Sequence, residues 1–246
     1  MRMGRNFKKL ILFLLVTMLL TLLMGCDIPF IGGEDELEDL EVIEEYEPPD
    51  PKSLKIIEFG DQKLGQAIEE ELGVYGGVSQ LDMENLTQLR VWSAGIKNIV
   101  GLEYAINLEE LDLYNNEIRD ITQLSTLTKL KKLNLSDNNI RNIQPISKLT
   151  ELVELDLFRN EIENASPVGG LTSLQELNLA YNAIMDIDSI GNLKNLRVLK
   201  IQGNYIGDIS KLSNLKNLNL LWVQNNRVRD ESQFDDLPEI KDLVTK

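Results

Sequence analysis

The chain has 246 residues, room for one or two domains, and 43 % apolar residues, enough to fill a core. Forty acidic against 25 basic side chains leave a net charge of −15, so the chain will not hold a phosphate backbone by charge and no nucleic-acid partner is expected. Histidine is absent and Cys26 is the only cysteine, which removes intrachain disulfides, histidine-based catalysis and His/Cys zinc sites.

Arg2, Arg5, Lys8 and Lys9 precede a 15-residue apolar run, Leu10 to Met24, that ends in Leu23-Met24-Gly25-Cys26. A basic start, a short apolar run and a small residue at the end form a secretory signal over residues 1–25. The run is short of the ~20 residues that comfortably span a bilayer. The residues around Gly25 resemble the lipobox of bacterial lipoproteins, although Met24 departs from the small or β-branched residue usual there. That resemblance implies a diacylglycerol on Cys26 and a lipid-anchored protein on the extracytoplasmic face of a cell membrane. An uncleaved membrane anchor and an ordinary buried thiol in a cytosolic chain are the alternatives. Removal of residues 1–25 leaves 21 basic against 40 acidic residues, net −19, so the lipid and not a basic patch would hold the protein at a membrane.

Residues 26–52 form an acidic linker: Asp27 to Asp50 holds eleven acids and no Lys or Arg, and Pro48-Pro49-Asp50-Pro51 closes it. Such a segment is expected to be an extended, disordered spacer, with cation binding as the other option. Residues 53–85 read as a helical N-terminal cap. Leu64, Ala67, Ile68 and Leu72 mark one helix face that Asp61 can N-cap and Gly73 can end. Ser79 to Asp82 carries a second capping-box signal.

From Leu86 a 22-residue unit runs seven times without insertion, over residues 86–229. Its pattern is Leu-x-x-Leu-x-Leu-x-x-Asn-x-Ile, with further apolar columns behind. The first column runs from Leu86 through Leu108 to Leu218, and the fourth from Leu89 to Leu221. The ninth is Asn116, Asn138, Asn160, Asn182, Asn204 and Asn226, with Ala94 in the first unit. A period in the low twenties built on Leu-x-Leu-x-x-Asn is the leucine-rich repeat. The expected fold class is α/β: a leucine-rich-repeat solenoid of seven repeats, with parallel strands on the concave face and 3-10 or irregular segments on the convex face. The asparagines are expected to form a structural ladder that satisfies backbone groups at the turn, and not to contact a ligand. Residues 230–246 are expected to be a short C-terminal cap, a turn and a short helix, from Phe234, Leu237, Ile240 and Leu243 at three-residue spacing.

Asp61-Gln62-Lys63-Leu64-Gly65-Gln66-Ala67-Ile68, Leu72-Gly73 and Gly101-Leu102-Glu103-Tyr104-Ala105-Ile106-Asn107-Leu108 resemble the cap and first repeats of internalin-type leucine-rich-repeat proteins. The resemblance spans residues 57–230 and implies bacterial origin and an adhesive or recognition role. Neither an immunoglobulin-like region nor a cell-wall-sorting motif follows the array.

Regular apolar columns belong to the core, so function is assigned to the outward strand positions, columns five, seven, eight and ten. Trp92, Tyr114, Phe158, Tyr181, Tyr205 and Trp222 fall there, with Arg159 beside Phe158. Exposed aromatics are the usual anchors of binding surfaces. Trp92 could instead tuck beneath the N-cap and Trp222 beneath the C-terminal segment. Phe158, Tyr181 and Tyr205 are expected to step diagonally across the face. Asp156, between core Leu155 and Leu157, is expected to point outward and matter little to stability. No catalytic or metal-ligating constellation and no cofactor motif is present, so an enzyme is disfavoured. The leading reading is a monomeric binding protein whose concave face takes a protein or a glycan. The alternatives are a ligandless envelope scaffold and, were the signal misread, a cytosolic phosphatase-regulator-like repeat protein.

Overall fold

The computed structural model describes residues 55–245. The signal segment, Cys26 and the acidic linker lie outside the described residues.

Helix α1, Gln62–Leu72, begins where Asp61 Oδ1 accepts the Lys63 N–H at 3.0 Å. It ends at Gly73, whose φ of 66° lies in the left-handed region open to glycine. Leu64 and Ile68, one turn apart, are fully buried on its inner face. A single turn, α2 (Gln80–Met83), follows a complete capping box: Asp82 N–H donates to Ser79 Oγ and Ser79 N–H to Asp82 Oδ2. Both caps stand where the sequence places them.

Eight three-residue strands then form one parallel sheet in chain order. They are β1 Gln88–Arg90, β2 Glu110–Asp112, β3 Lys132–Asn134, β4 Glu154–Asp156, β5 Glu176–Asn178, β6 Val198–Lys200, β7 Leu220–Trp222 and β8 Asp242–Val244. Each pairs with the next in a strict 22-residue register, as Leu89 with Leu111 and Leu155 with Leu177. Return segments hold short 3-10 turns such as Thr122–Thr126 and Ser210–Asn214. The core is one continuous stack of Leu and Ile columns between sheet and turns, nearly all fully buried. Burying one such side chain contributes roughly 1.5–3 kcal/mol.

The C-terminal expectation is corrected. A 3-10 turn, Glu231–Phe234, and an eighth parallel strand replace the expected helix. Phe234, Leu237, Ile240 and Leu243 each sit 22 residues after a core residue, Leu212, Leu215, Leu218 and Leu221. They are therefore columns of the same repeat, and β8 accordingly pairs Leu243 with Leu221.

Candidate functional site

The asparagine column forms the expected ladder. Asn160 is 9 % exposed; its Oδ1 accepts the Ile140 N–H at 2.9 Å, and its Nδ2 donates to Leu135 O at 2.9 Å and Leu157 O at 3.3 Å. Each amide thus joins its own turn to the preceding repeat, as Asn138 does through Ile118 N and Leu113 O. In the first unit, where Ala94 replaces the asparagine, Lys63 of α1 donates its ammonium to Ala94 O. Asp61 Oδ2 also accepts from Lys97 N at 3.1 Å, so the cap helix completes the ladder's outer end.

Two columns have roles that the sequence reading did not assign them. In the thirteenth, Asn98, Asp120, Asn142, Asn164, Asp186, Asp208 and Asp230 each accept a backbone N–H two residues on, at 2.8–3.1 Å, and so start every return turn. An Asn or Asp every 22 residues was the signal for them. These bonds hold the carboxyls of Asp120 and Asp208 below the usual range, with the Thr122 hydroxyl the larger cause at Asp120 and the Ser210 N–H at Asp208.

Column eight is the second. Ser93, Asn115, Asp137, Arg159, Tyr181, Gly203 and Asn225 all have positive φ, from 49° to 69°. The strand turns sharply there in every repeat. Ser, Asn, Asp and Gly tolerate this conformation through local hydrogen bonding or the missing Cβ. Arg159 and Tyr181 have neither advantage.

On the strand face, columns three and five form an open trough across β1 to β6. Its floor holds Glu110, Asp112, Glu154, Asp156 and Glu176, with Arg90, Lys132 and Lys200. Two of those cations are engaged in exposed pairs, Arg90 with Glu110 at 3.1 Å and Lys132 with Glu154 at 2.7 Å. Asp156 does not simply point outward. It is half-buried and accepts from Phe158 N at 2.9 Å and Asn178 Nδ2 at 3.1 Å, and burial raises its pKa. Asp112, Asn134 and Asn178 accept from column-seven N–H groups in the same way, so column five caps the strand ends.

Column seven is also less open than its pattern suggests. Ser136, Ala180 and Gln202 are buried, because small or folded-in side chains between two lateral neighbours lose their access to water. Trp92 is 57 % exposed and not tucked beneath the cap, and Tyr114, Tyr181 and Tyr205 are exposed as well. Phe158 and Trp222 are half-buried. The Trp222 indole nitrogen and the side-chain amide oxygens (Oε1) of Gln202 and Gln224, on adjoining repeats, have no hydrogen-bond partner among the described residues.

The expected diagonal divides into two groups. Phe158 and Tyr181 meet edge to face, centroids 5.4 Å apart at 83°. The Arg159 guanidinium lies 4.9 Å from the Phe158 ring and 5.8 Å from Tyr181, and 3.7 Å from Asp137. The Tyr181 ring extends over Gly203, where a Cβ would come within 2.8 Å of it. Tyr205 instead packs under Arg227 at 4.4 Å, and Trp222 under Lys200 at 4.8 Å. No group of three or more His, Cys, Asp or Glu among the described residues is arranged to hold a metal ion.

A stacked parallel ladder with an asparagine turn in each unit defines a leucine-rich-repeat solenoid. The family description "Leucine Rich repeats (2 copies)" matches residues 128–170, 172–214 and 194–239, and "Leucine Rich Repeat" matches 107–127. Together these matches cover more than half of the sequence, and the chain belongs to the leucine-rich-repeat family, whose members are protein-binding modules. Within that family it is of the internalin type. Internalin C2 of Listeria monocytogenes is similar at 29 % identity, over 76 % of this chain and 93 % of that one, with a TM-score of 0.61. A leucine-rich-repeat protein of Leptospira interrogans shares the fold at 24 % identity and a TM-score of 0.57, over 67 % of this chain and 50 % of that one. The plant peptide hormone receptor RGFR1, solved in complex with RGF2, is 26 % identical over 61 % of this chain and 25 % of that one, with a TM-score of 0.53. No curated protein sequence matches the chain.

Proposed function

We propose that the protein is a non-enzymatic binding module on the outer side of a membrane, anchored through a lipid on Cys26, that takes a protein partner around Phe158, Arg159 and Tyr181. One observation carries the assignment of the surface. Seven equivalent positions adopt the left-handed turn, and only two of them, Arg159 and Tyr181, hold large side chains. That conformation disfavours an ordinary L-residue by roughly 1–2 kcal/mol, and such outliers collect at ligand sites. Stability alone would place Gly or Asn there, as at Gly203 and Asn225. The two strained residues are also the ones packed onto Phe158, forming a rigid aromatic cluster with few rotamers to freeze. Protein recognition across the family, and the peptide hormone receptor solved with RGF2, support a protein partner. The lipid anchor rests on the run ending in Leu23-Met24-Gly25-Cys26.

Affinity capture from envelope extract tests the surface. Phe158→Ala with Tyr181→Ala is expected to weaken a captured partner by at least about 2 kcal/mol, the hot-spot scale, with the melt little changed. Undiminished capture by a folded double variant would reject the surface and favour a structural role. For the anchor, intact-mass analysis of the membrane fraction should show a lipid on Cys26 and no residues 1–25. A Cys26→Ser protein that is processed and fractionates like the parent would reject it.

A further inference from the structure

Local charge turns positive between residues 174 and 229, before six acids and two lysines follow in residues 230–246. Residues 174–229 carry seven Lys and Arg side chains against four carboxylates, in a chain of net charge −15. Every cation–aromatic contact among the described residues lies in the fourth to seventh repeats. Arg227 forms no ion pair among the described residues. Arg159 does pair with Asp137, but the acid side chain is 23 % exposed and the arginine 61 %, so an arriving group meets the guanidinium first. A guanidinium over a ring spends its face on the ring and keeps its in-plane N–H groups for a carboxylate. The ring also restricts the side chain beforehand, which lowers the entropy lost on binding.

We propose that the rim formed by Arg159, Tyr181, Tyr205 and Arg227 takes an extended polypeptide segment carrying two carboxylates four residues apart. The spacing follows from the sheet. Three strand steps of ~4.8 Å set the two arginines about 14 Å apart along the array, and an extended chain at ~3.4 Å per residue covers that distance in four residues. Residues i and i+4 of such a segment face the same way, and so does i+2, which rests its apolar side chain on the tyrosines between the arginines. The acids of the trough floor repel this segment, so it follows the rim and not the floor. The inference rests on the binding role proposed above and adds the chemistry of the partner.

The test uses the full chain in nonionic detergent and fluorescent seven-residue peptides rich in Thr, with Val at the centre. One carries Glu at i and i+4, one Lys at the same places, and one Glu at i+1 and i+3, on either side of the same valine. The i,i+4 acidic peptide should bind about tenfold more tightly than the lysine peptide and several-fold more tightly than the closely spaced one, with affinity falling as salt rises. Arg159→Met with Arg227→Met should bring the Glu-to-Lys ratio near one. Arg159→Lys with Arg227→Lys, which keeps the charge, should retain part of the preference and guards against a folding defect. Arg197→Met, on the opposite edge of the strands, should change nothing. A lysine peptide that binds as tightly, no acidic-peptide binding, or an Arg197→Met loss equal to that of the rim pair would each overturn the inference. Loss of the captured protein in the Phe158 and Tyr181 double variant judges the binding role separately.

Discussion

Replacing Asn160 with alanine tests whether the amide ladder holds neighbouring repeats together. Its Oδ1 is the acceptor for Ile140 N–H, which has no other partner, so the substitution leaves that buried donor unpaired. A buried unpaired group costs about 1–3 kcal/mol. Leu135 O and Leu157 O each lose one bond but keep another, from Asn138 and Asn182. Those two losses add roughly 0.5–1.5 kcal/mol each at most. Asn160→Ala should therefore destabilise the array by about 2–6 kcal/mol, measured by urea unfolding with far-UV circular dichroism. Asn160→Asp should be no better. Its carboxylate can still accept from Ile140, but the second oxygen then faces the carbonyls of Leu135 and Leu157. An alanine variant within about 0.5 kcal/mol of the parent, or an aspartate variant of parental stability, would refute the reasoning.

Asp156→Asn keeps an acceptor for Phe158 N–H and removes a half-buried charge, but turns an NH2 toward the Asn178 Nδ2 that the carboxylate accepts from. A carboxyl raised by burial contributes stability that is full below its unfolded pKa and is lost as pH rises through the folded value. The variant should thus gain stability relative to the parent as pH rises from below the ordinary carboxylate range to ~7, as melts across pH will show; a difference independent of pH would count against the buried charge. Gly203→Ala places a methyl in the left-handed region, against the Tyr181 ring. A loss of about 1–2 kcal/mol and weaker partner binding are expected, and unchanged values in both would mean the Tyr181 placement is unimportant. Asp61→Ala removes the α1 N-cap and the link to Lys97 together, which should cost about 1–2 kcal/mol. Hydrogen exchange should then speed up in α1 and the first repeat; equal exchange throughout would count against the cap's role.

Much of the fold is legible in the sequence because its determinants are local or strictly periodic. Asp61 and Gly73 bound α1 through their own backbone preferences, and the Leu-x-Leu columns mark which side chains enter the core. The asparagine column follows from the need to satisfy turn groups once per unit. Other features depend on what lies one repeat away. Three-residue spacing from Phe234 to Leu243 fits a helix as well as columns of a repeat, and only pairing of β8 with β7 decides between them. Alternation places Ala180 and Gln202 outward, yet lateral neighbours bury both. Asp156 lies on the outward side of its strand as the pattern requires, but its bond to Asn178, 22 residues away, draws it partly out of water. The same holds for the candidate site. Sequence marks Phe158, Arg159, Tyr181 and Tyr205 as outward residues, while the left-handed turn joins the first three into one cluster and leaves Tyr205 to Arg227. Periodicity assigns each residue a side of its strand; exposure and contact are set by the neighbouring turns of the solenoid, which one unit of sequence does not contain.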